Sequence, residues 1–409
     1  MLFDNIAYRV LGTRDYAKLF LWVPKILFQM VQKWPGTEHF RIKAFISSLL
    51  CGSLMAFIAV GLYNDMEFDI NAIDKNMYNL ALIISTFQAS YKTIVMWYKA
   101  SELKELLDDI ITKFWPYNLA GEDLSKRLKT FYFIIMIVML SLLSAAFLFG
   151  IVFLVVPLFA EKRQLPFPAK YSFDWSPSPI YQLVYLSHTI GFLVVMVSCI
   201  LGVDCMFLGI GASAVTQYRI LQRAFAYYNA PEMREVGQKL KELDREGYAS
   251  VYDDKAEYFT RCLNHHLLLL KIVKNMNSVF SLIVLVQLLC SVSGLCLGTY
   301  MMTRDEFTAD KLILAAVLAL GYLDQLMVYC IIGNELNYQA SLLPEYIYKS
   351  NWGELENRSL QRDVIFLIQH SQRVPQLSAY GLYDINMNSF VKVLKLAFSF
   401  YTLLSNISN

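Results

Sequence analysis

Residues 388–409, NSFVKVLKLAFSFYTLLSNISN, are apolar enough to enter a membrane and yet carry a row of polar side chains. A scan with windows of about 19 residues, the length that crosses the hydrocarbon core, selects this stretch and six others. The predicted spans are 44–62, 77–98, 131–160, 180–212, 276–302, 311–333 and 388–408. The sequence therefore predicts an all-α, polytopic membrane protein with seven transmembrane helices.

Composition supports a membrane protein and argues against other classes. Hydrophobic residues make up 56% of the chain and charged residues 17%, whereas soluble domains average about 25% charged residues. The net charge of +2 and the lack of a basic block give no indication of a nucleic-acid partner. The first 20 residues are mixed in charge and lack an apolar core, so we expect no cleavable signal peptide.

The distribution of positive charge predicts the orientation. Most of the 36 lysine and arginine residues lie in the four segments that share a side with the N-terminus, which are 1–43, 99–130, 213–275 and 334–387. Because positive residues are enriched in cytoplasmic loops, the N-terminus is predicted inside and the C-terminus outside. None of the seven cysteines falls in a predicted outside loop, so we expect no extracellular disulfide.

Several helical patterns are too long for the bilayer and predict a cytoplasmic extension. The pattern of the fifth span runs from about 262 to 302, roughly 60 Å against a hydrocarbon core of about 30 Å. An amphipathic helix predicted at 354–374 lies either at the membrane interface or in a cytoplasmic bundle with these extensions. The expected segments are a cytoplasmic or interfacial N-terminal segment (1–43), transmembrane helices one to four with a ligand pocket (44–212), cytoplasmic helical extensions that form an anchor (213–275), transmembrane helices five and six (276–333), cytoplasmic anchor helices (334–387) and the last transmembrane helix (388–409).

The outer ends of three spans carry aromatic, small and hydroxyl-bearing residues, the composition of a pocket for a small apolar ligand. The loop at 163–181 is rich in proline and aromatic residues, stiff enough for a lid. Gly150 either leaves space for a ligand or lets two helices approach, and His188 either meets a ligand or is a hydrogen-bonded core residue. The candidate ligand-binding residues are Met77, Leu80, Ile84, Phe87, Ser144, Phe147, Gly150, Ile151, Leu154, Tyr185, His188 and Phe192.

Nothing in the sequence indicates an enzyme, a metal site or a cofactor. His265 and His266 are neighbours, so their side chains diverge by about 100° on a helix, and no third ligand follows at the required spacing. Asp324 lies within the sixth span, where it serves either functional coupling or a simple polar contact. Lys92, at the inner end of the second span, is expected to reach the headgroups with its long side chain.

The segment after the sixth span carries the most specific pattern. Tyr346 and Trp352 are followed by HSQRVPQLSAYGLYDIN at 370–386 and by MNSFVKVLKLAFSFYTLL at 387–404. This combination resembles the insect odorant receptor family, within the wider group of insect chemoreceptors. Seven spans with a cytoplasmic N-terminus fit that family over the whole chain.

The resemblance implies a function as well as a fold. It implies a plasma-membrane protein of the sensory neuron dendrite, surrounded by membrane lipids, that is the tuned subunit of a ligand-gated, non-selective cation channel. Such a subunit would assemble with a co-receptor subunit in a heterotetramer, bind a small volatile organic ligand and pass monovalent and divalent cations. The alternatives are a gustatory-type channel that forms a homotetramer, a transporter and a G-protein-coupled receptor.

The resemblance also gives the last helix a role as the lining of a central pore. It matches Leu403 and Ile407 to gate positions and Asn406 to a filter position, with Thr402 and Ser399 on the same polar stretch. Aliphatic side chains from several subunits can close a pore by dewetting, while amide and hydroxyl groups guide hydrated cations. Asn386 is expected to cap this helix, and the chain ends soon after it, at the predicted outer mouth. A plain membrane anchor is the alternative, and Lys392 and Lys395 either reach headgroups or line the inner mouth.

Overall fold

A computed structural model describes residues 9, 15, 18–35, 39–66, 73–119, 121–159, 163–243, 254–303 and 309–408. Most of them are helical. The helices are α1 (Trp22–Met30), α2 (Phe40–Asp65), α3 (Ile73–Tyr98), α4 (Ala100–Lys113), α5 (Glu122–Val155), α6 (Ile180–Ile190), α7 (Gly202–Ala226), α8 (Met233–Leu243), α9 (Asp254–Met302), α10 (Ala309–Tyr348), α11 (Arg358–Ser371) and α12 (Met387–Ser408). A π-helical segment, Gly191–Leu201, joins α6 to α7 without a break.

Short elements complete the architecture. Single turns of 3-10 helix occur at Leu19–Leu21, Val156–Phe159 and Asn351–Glu354. Two strands, β1 (Ser378–Ala379) and β2 (Tyr383–Asp384), pair antiparallel just before α12.

Seven helical rods within the described ranges are long enough to cross a membrane, counting α6, the π-helical segment and α7 as one. Five candidate membrane spans within the described residues are also strongly apolar, and they run over Phe40–Asp65, Glu122–Phe147, Ile180–Ala226, Lys255–Met302 and Ala315–Glu354. The other two, α3 and α12, have 26 and 22 residues but more polar side chains. The predicted all-α, seven-span membrane fold is confirmed.

Helix α7 is the centre of the molecule. Its residues from Gly202 to Tyr218 are all buried, because α9, α10 and the N-terminal α1 pack around it. The Pro24-containing α1 lies against α7 with Trp22, Leu27 and Phe28 buried. The turn that precedes α1 approaches α7 so closely that only glycine fits at residue 209. A Cβ on Gly209 would lie 2.6 Å from the carbonyl oxygen of Phe20.

The ends of α7, α9 and α10 pack with α4 and α11 on the side predicted to be cytoplasmic. Helix α9 has 49 residues, which is about 74 Å at 1.5 Å per residue and more than twice the hydrocarbon thickness. Lys271 Nζ of α9 contacts Asp109 Oδ2 of α4 at 2.8 Å, and Arg219 contacts Glu335 at 2.6 Å. Burial by itself would raise the pKa of the Asp109 carboxyl, but the hydrogen bonds and positive charges of Lys113 and Lys271 together hold this pKa below its usual value.

The β-hairpin sets the position at which the last helix begins. A Cβ on Gly333 of α10 would lie 2.2 Å from the carbonyl oxygen of Ile385, so the hairpin lies directly against the α10 backbone. Asn386 then caps α12, because its Oδ1 accepts a hydrogen bond from the backbone N–H of Ser389 at 2.9 Å. The predicted cap is therefore present.

Candidate ligand cavity and last helix

A cavity of about 450 Å³ lies between the helices in the predicted outer half of the membrane domain. Helices α2, α3, α5 and α10 and the π-helical segment line its wall, and Phe167 of the loop between α5 and α6 covers it. The lining residues are Ile58, Leu62, Leu82, Ser85, Thr86, Gln88, Leu142, Ala145, Ala146, Phe167, Phe192, Met196, Val197, Ile200, Leu201, Ile313, Val317, Leu318, Leu320, Gly321, Tyr322, Asp324 and Gln325. Such a volume and apolar wall suit a small organic molecule.

The loop that covers the cavity is held in place by aromatic contacts. Tyr171 stacks on Phe57 of α2 with ring centroids 4.5 Å apart and planes 7° apart. Its hydroxyl lies 2.7 Å from Nε2 of His188. Gly61 makes this position possible, because a Cβ there would lie 2.7 Å from the Tyr171 ring. The loop therefore packs into the bundle as part of its wall.

A buried hydrogen-bond network lies below the cavity. Gln88 Nε2 of α3 donates to Gln325 Oε1 of α10 at 3.2 Å, and Gln325 Nε2 donates to Asp204 Oδ2 at 3.1 Å. Tyr329 donates to the other oxygen of Asp204 at 2.7 Å, which also forms an ion pair with Lys92. Gln88 and Gln325 also line the cavity, so the network reaches from the site into the core.

The prediction that Lys92 reaches the headgroups is wrong. Lys92 is only 1% exposed, and its partner Asp204 is fully buried. A carboxylate from α7 at the same depth makes this possible, because a buried charge is tolerated when it is paired and hydrogen-bonded.

The twelve predicted ligand residues fall into three groups. Phe192 alone lines the cavity. Four others lie beside it: Gly150 approaches the Phe192 ring, Leu154 is buried and its carbonyl accepts the Tyr185 hydroxyl at 2.5 Å, and His188 is fully buried against Tyr171. These contacts favour helix approach at Gly150 and a core role for His188.

The remaining seven predicted residues point elsewhere. Met77, Leu80 and Ile84 pack against Leu297, Tyr300 and Met301 of α9. The other four side chains are exposed in the isolated chain, and they are those of Phe87, Ser144, Phe147 and Ile151. None of those four side chains lines the cavity.

Sequence reasoning missed most of the polar residues of the site. Gln88 and Lys92 are four residues apart in a predicted span, and Asp204 and Gln325 lie in two others. Ionisable and amide side chains inside spans pair with one another and face the bundle. The presence of these four polar side chains at similar depths in three predicted spans was the signal that could have located the network.

Helix α12 has one buried face and one exposed face. Val393, Ala397, Tyr401 and Leu404 pack against α9 and α10. Exposed on the opposite side are Lys392, Lys395, Ser399, Leu403 and Asn406. Thr402 is half-buried and donates to the Ser399 carbonyl at 2.8 Å, and the side chain of Ile407 lies outside the described residues. A membrane helix with a polar outer face requires water or another subunit against it.

The sequence profile of the family described as 7tm Odorant receptor matches residues 73–398. The chain belongs to this family. Odorant receptor Or1 of Anopheles gambiae is 22% identical over 408 residues, covering 97% of this chain and 90% of that one. Odorant receptor 59a of Drosophila melanogaster is 23% identical and covers 91% and 94%. The resemblance seen in the sequence is confirmed.

Solved structures with the same fold agree with the odorant receptor assignment. The insect olfactory receptor OR5 from Machilis hrabei in complex with eugenol superimposes with a TM-score of 0.73 at 14% identity, over 94% of this chain and 98% of that one. The same receptor described without eugenol gives a TM-score of 0.74 at 13% identity, over 95% and 98%. This member of the odorant receptor family is therefore a multi-pass membrane receptor, and family membership confirms that it is not an enzyme.

Proposed function

We propose that this chain is the tuned subunit of an odorant-gated, non-selective cation channel. A small volatile ligand binds in the cavity, and the exposed face of α12 lines a pore shared with a co-receptor subunit. The observation that carries the proposal is a cavity of about 450 Å³ whose wall also contacts the last helix. The plasma membrane of a sensory dendrite is the expected location.

The size of the cavity sets the energy available for gating. A ligand of about 10 heavy atoms at roughly −0.5 kcal/mol per atom binds with about −5 kcal/mol. A ligand shifts a conformational equilibrium only by its difference in affinity for the two states. The open state must therefore differ from the closed state in the wall of the cavity itself. Eugenol, bound by the related OR5, is of this size class.

Two residues of α10 connect the cavity wall to the last helix. Leu318 lines the cavity and packs in a cluster with Tyr401 and Leu404 of α12. Tyr322 also lines the cavity and packs in a second cluster with Ala397. A ligand that displaces α10 would therefore move α12, which supports the proposed opening of the pore by withdrawal of its outer end.

The outer face of α12 supports the assignment of the pore. Ser399, Leu403 and Asn406 share one side of the helix with Lys392 and Lys395. Leu403 is 56% exposed in the isolated chain, as expected of a gate that closes against other subunits. Ile407 stays a proposed gate residue from the family pattern. The two lysines at the inner end would repel cations. A pore with one or two copies of this chain would therefore conduct cations better than a pore with four.

Ligand-evoked current, recorded with and without a co-receptor subunit, tests the proposal. Gly321 lines the cavity, and a Cβ there would meet nothing within 4 Å, so Gly321→Phe adds a large side chain at the cavity wall without a clash at its Cβ. Gly52 on α2 also has nothing within 4 Å and lies outside the cavity, so Gly52→Phe is the matched control. We expect Gly321→Phe to raise the half-maximal ligand concentration at least about tenfold, corresponding to about 1.4 kcal/mol.

Three outcomes would contradict the proposal. Saturable uptake without current would indicate a transporter. Full current without a co-receptor would indicate the homotetrameric, gustatory-type alternative. An unchanged response of Gly321→Phe at normal surface expression would place the ligand outside this cavity.

A further inference from the structure

We infer that the cavity selects small apolar ligands that donate a hydrogen bond, such as an alcohol, a phenol or an amine, over analogues that only accept one. This inference rests on the proposed ligand site and defines the class of ligand it takes. The observation behind it is an imbalance in the polar side chains of the cavity wall: most of their donor hydrogens are already used, while two acceptors have no donor.

The donor hydrogens of the wall are used inside the protein. Ser85 Oγ donates to the Ala81 carbonyl at 3.0 Å, so the 2.8 Å contact with Tyr322 takes the tyrosine hydrogen. Thr86 Oγ1 donates to the Ile83 carbonyl at 2.8 Å. Ligand carbonyls and ethers therefore find none of these three hydroxyl hydrogens free.

The two glutamines of the wall are committed in the same way. Gln88 Nε2 donates to both Gln287 and Gln325, which uses its two hydrogens. Gln325 Nε2 donates one hydrogen to Asp204. Only a single amide hydrogen of Gln325 is left among the described polar side chains of the wall.

Two acceptors of the wall lack a partner. The Oε1 atom of Gln88 receives no hydrogen bond from the described residues, although this side chain is only 1% exposed. The carboxylate of Asp324 has neither a hydrogen bond nor an ion pair within the described part of the chain, and it lies in a membrane span and lines the cavity. An unpaired carboxylate in a membrane requires water or a partner, and a ligand that displaces the water must replace its hydrogen bonds.

The energetic consequence is asymmetric. A hydroxyl or ammonium group on the ligand can satisfy these acceptors, whereas an aldehyde or ether of the same shape leaves them desolvated and unpaired. Sites built to pair with a hydrogen-bonding group reject analogues that lack it far more strongly than apolar pockets reject a missing methylene. The polar side chains of the cavity wall therefore distinguish ligands that donate a hydrogen bond from ligands that only accept one, whatever the length of the ligand.

Ligands matched in size test the inference on the channel co-expressed with its co-receptor. The series contains an n-alkanol, the n-alkylamine, the n-alkanal and the alkane at each length from four to ten heavy atoms. We expect the alkanol or the alkylamine to have a half-maximal concentration at least about tenfold below that of the alkanal. If the alkylamine has a lower half-maximal concentration than the alkanol, the preferred donor is a cation. If the alkanol has the lower one, the preferred donor is a neutral hydroxyl.

Two substitutions of nearly unchanged size sharpen the test. Asp324→Asn keeps the shape and adds amide hydrogens that an aldehyde can accept, so the ratio between alkanal and alkanol should fall to about threefold or less. Asp324→Leu removes the acceptor and should raise the half-maximal concentration of the donors about tenfold. Val317→Ala, on the apolar wall of the same helix, should shift all four classes equally.

The outcomes separate this inference from the proposed function. A wild-type channel that prefers the alkanal, one that responds to the alkanal but to no donor, or an unchanged half-maximal concentration of the donors in Asp324→Leu overturns the inference. If Gly321→Phe leaves every response unchanged, the cavity is not the ligand site and the proposed function fails first. If Gly321→Phe abolishes the responses while donors and acceptors act alike, only the inference fails.

Discussion

The buried pair of Lys92 and Asp204 shows why a single charge in this bundle depends on its partner. Removal of one member of a buried ion pair costs about 3–5 kcal/mol, because the other charge is left uncompensated. We expect Lys92→Met to reduce the surface expression of the receptor and its thermal stability in detergent. Asp204→Asn on that background removes the orphaned charge and retains an acceptor for Tyr329, so it should recover most of the loss.

The four variants of this pair form a double-mutant cycle. Stability losses that simply add would contradict the coupling that the structure describes. Thermal unfolding monitored by size-exclusion chromatography measures all four.

The contact between Gly333 and Ile385 provides a second test at the scale of single residues. A methyl group on Gly333 has no room, because backbone rather than a flexible side chain lies 2.2 Å from the Cβ position. Gly333→Ala should therefore displace the hairpin that precedes α12 and increase current in the absence of ligand. Gly353, which has nothing within 4 Å, is the control, since Gly353→Ala should leave basal current unchanged. A normally expressed Gly333→Ala channel with the basal current and ligand response of the wild type would contradict the prediction.

At the scale of the element, α12 is expected to show its two faces to a water-soluble thiol reagent. All seven native cysteines are buried, so background labelling should be low. Leu403→Cys lies on the exposed face, whereas Ala397→Cys lies on the face packed against the subunit, where Ala397 is 4% exposed. We expect a membrane-impermeant methanethiosulfonate to reduce current through Leu403→Cys in the presence of ligand and to leave Ala397→Cys unchanged. Equal sensitivity of the two variants would exclude the proposed pore face.

The histidine pair on the cytoplasmic part of α9 makes the anchor sensitive to acid. His265 stacks on Trp115 with ring centroids 3.9 Å apart, and burial lowers its pKa to about 3. Burial also lowers the pKa of His266 to about 4. The unfolded chain binds these protons near pH 6.5, whereas the folded chain excludes them until far lower pH.

Stability contributed by these two residues is therefore present above pH 6.5 and is lost as the pH falls toward the folded values. A change from pH 7 to pH 5 should reduce the unfolding free energy by about 2 kcal/mol per histidine. Thermal unfolding of purified receptor at the two pH values measures this loss of stability. The loss should be smaller in His265→Gln. A pH-independent unfolding temperature would contradict this prediction.

Helices and polar sites differ in how far the sequence predicts them. Spans such as 44–62 and 276–302 are predictable, because each is a local run of apolar residues long enough to cross the bilayer. The cavity is not local: Gln88, Phe167 and Gly321 are brought together by the packing of α3, α10 and the loop between α5 and α6. Phe147 and Ile151 are predicted ligand residues of one helix, but only the packing of neighbouring helices decides which face of that helix points inward.

The whole molecule carries an apolar surface that its own fold leaves uncovered. In α11, Leu360, Val364 and Leu367 are buried, while Phe366 on the opposite side is 60% exposed. Tyr338 of α10 is 53% exposed in the same cytoplasmic region. Apolar patches of this kind outside the lipid mark contacts between proteins. The cytoplasmic bundle is thus expected to be the place where subunits join, and an interfacial position of α11 against lipid is the alternative.

Substitution of the exposed aromatic residue distinguishes these two roles of α11. Phe366→Ser should reduce co-purification with a co-receptor subunit several-fold, since loss of one large buried aromatic at an interface costs about 2 kcal/mol or more. Arg362→Ser, at an exposed position one turn earlier on the same helix, should leave co-purification unchanged. If Phe366 instead rests on the membrane, assembly stays intact and the variant loses only lipid association, measured by flotation of an isolated α11 peptide with vesicles. If subunits join through this bundle, as proposed, helices far from the proposed pore would hold them together, and α12 would need to bind its neighbours only in the closed state.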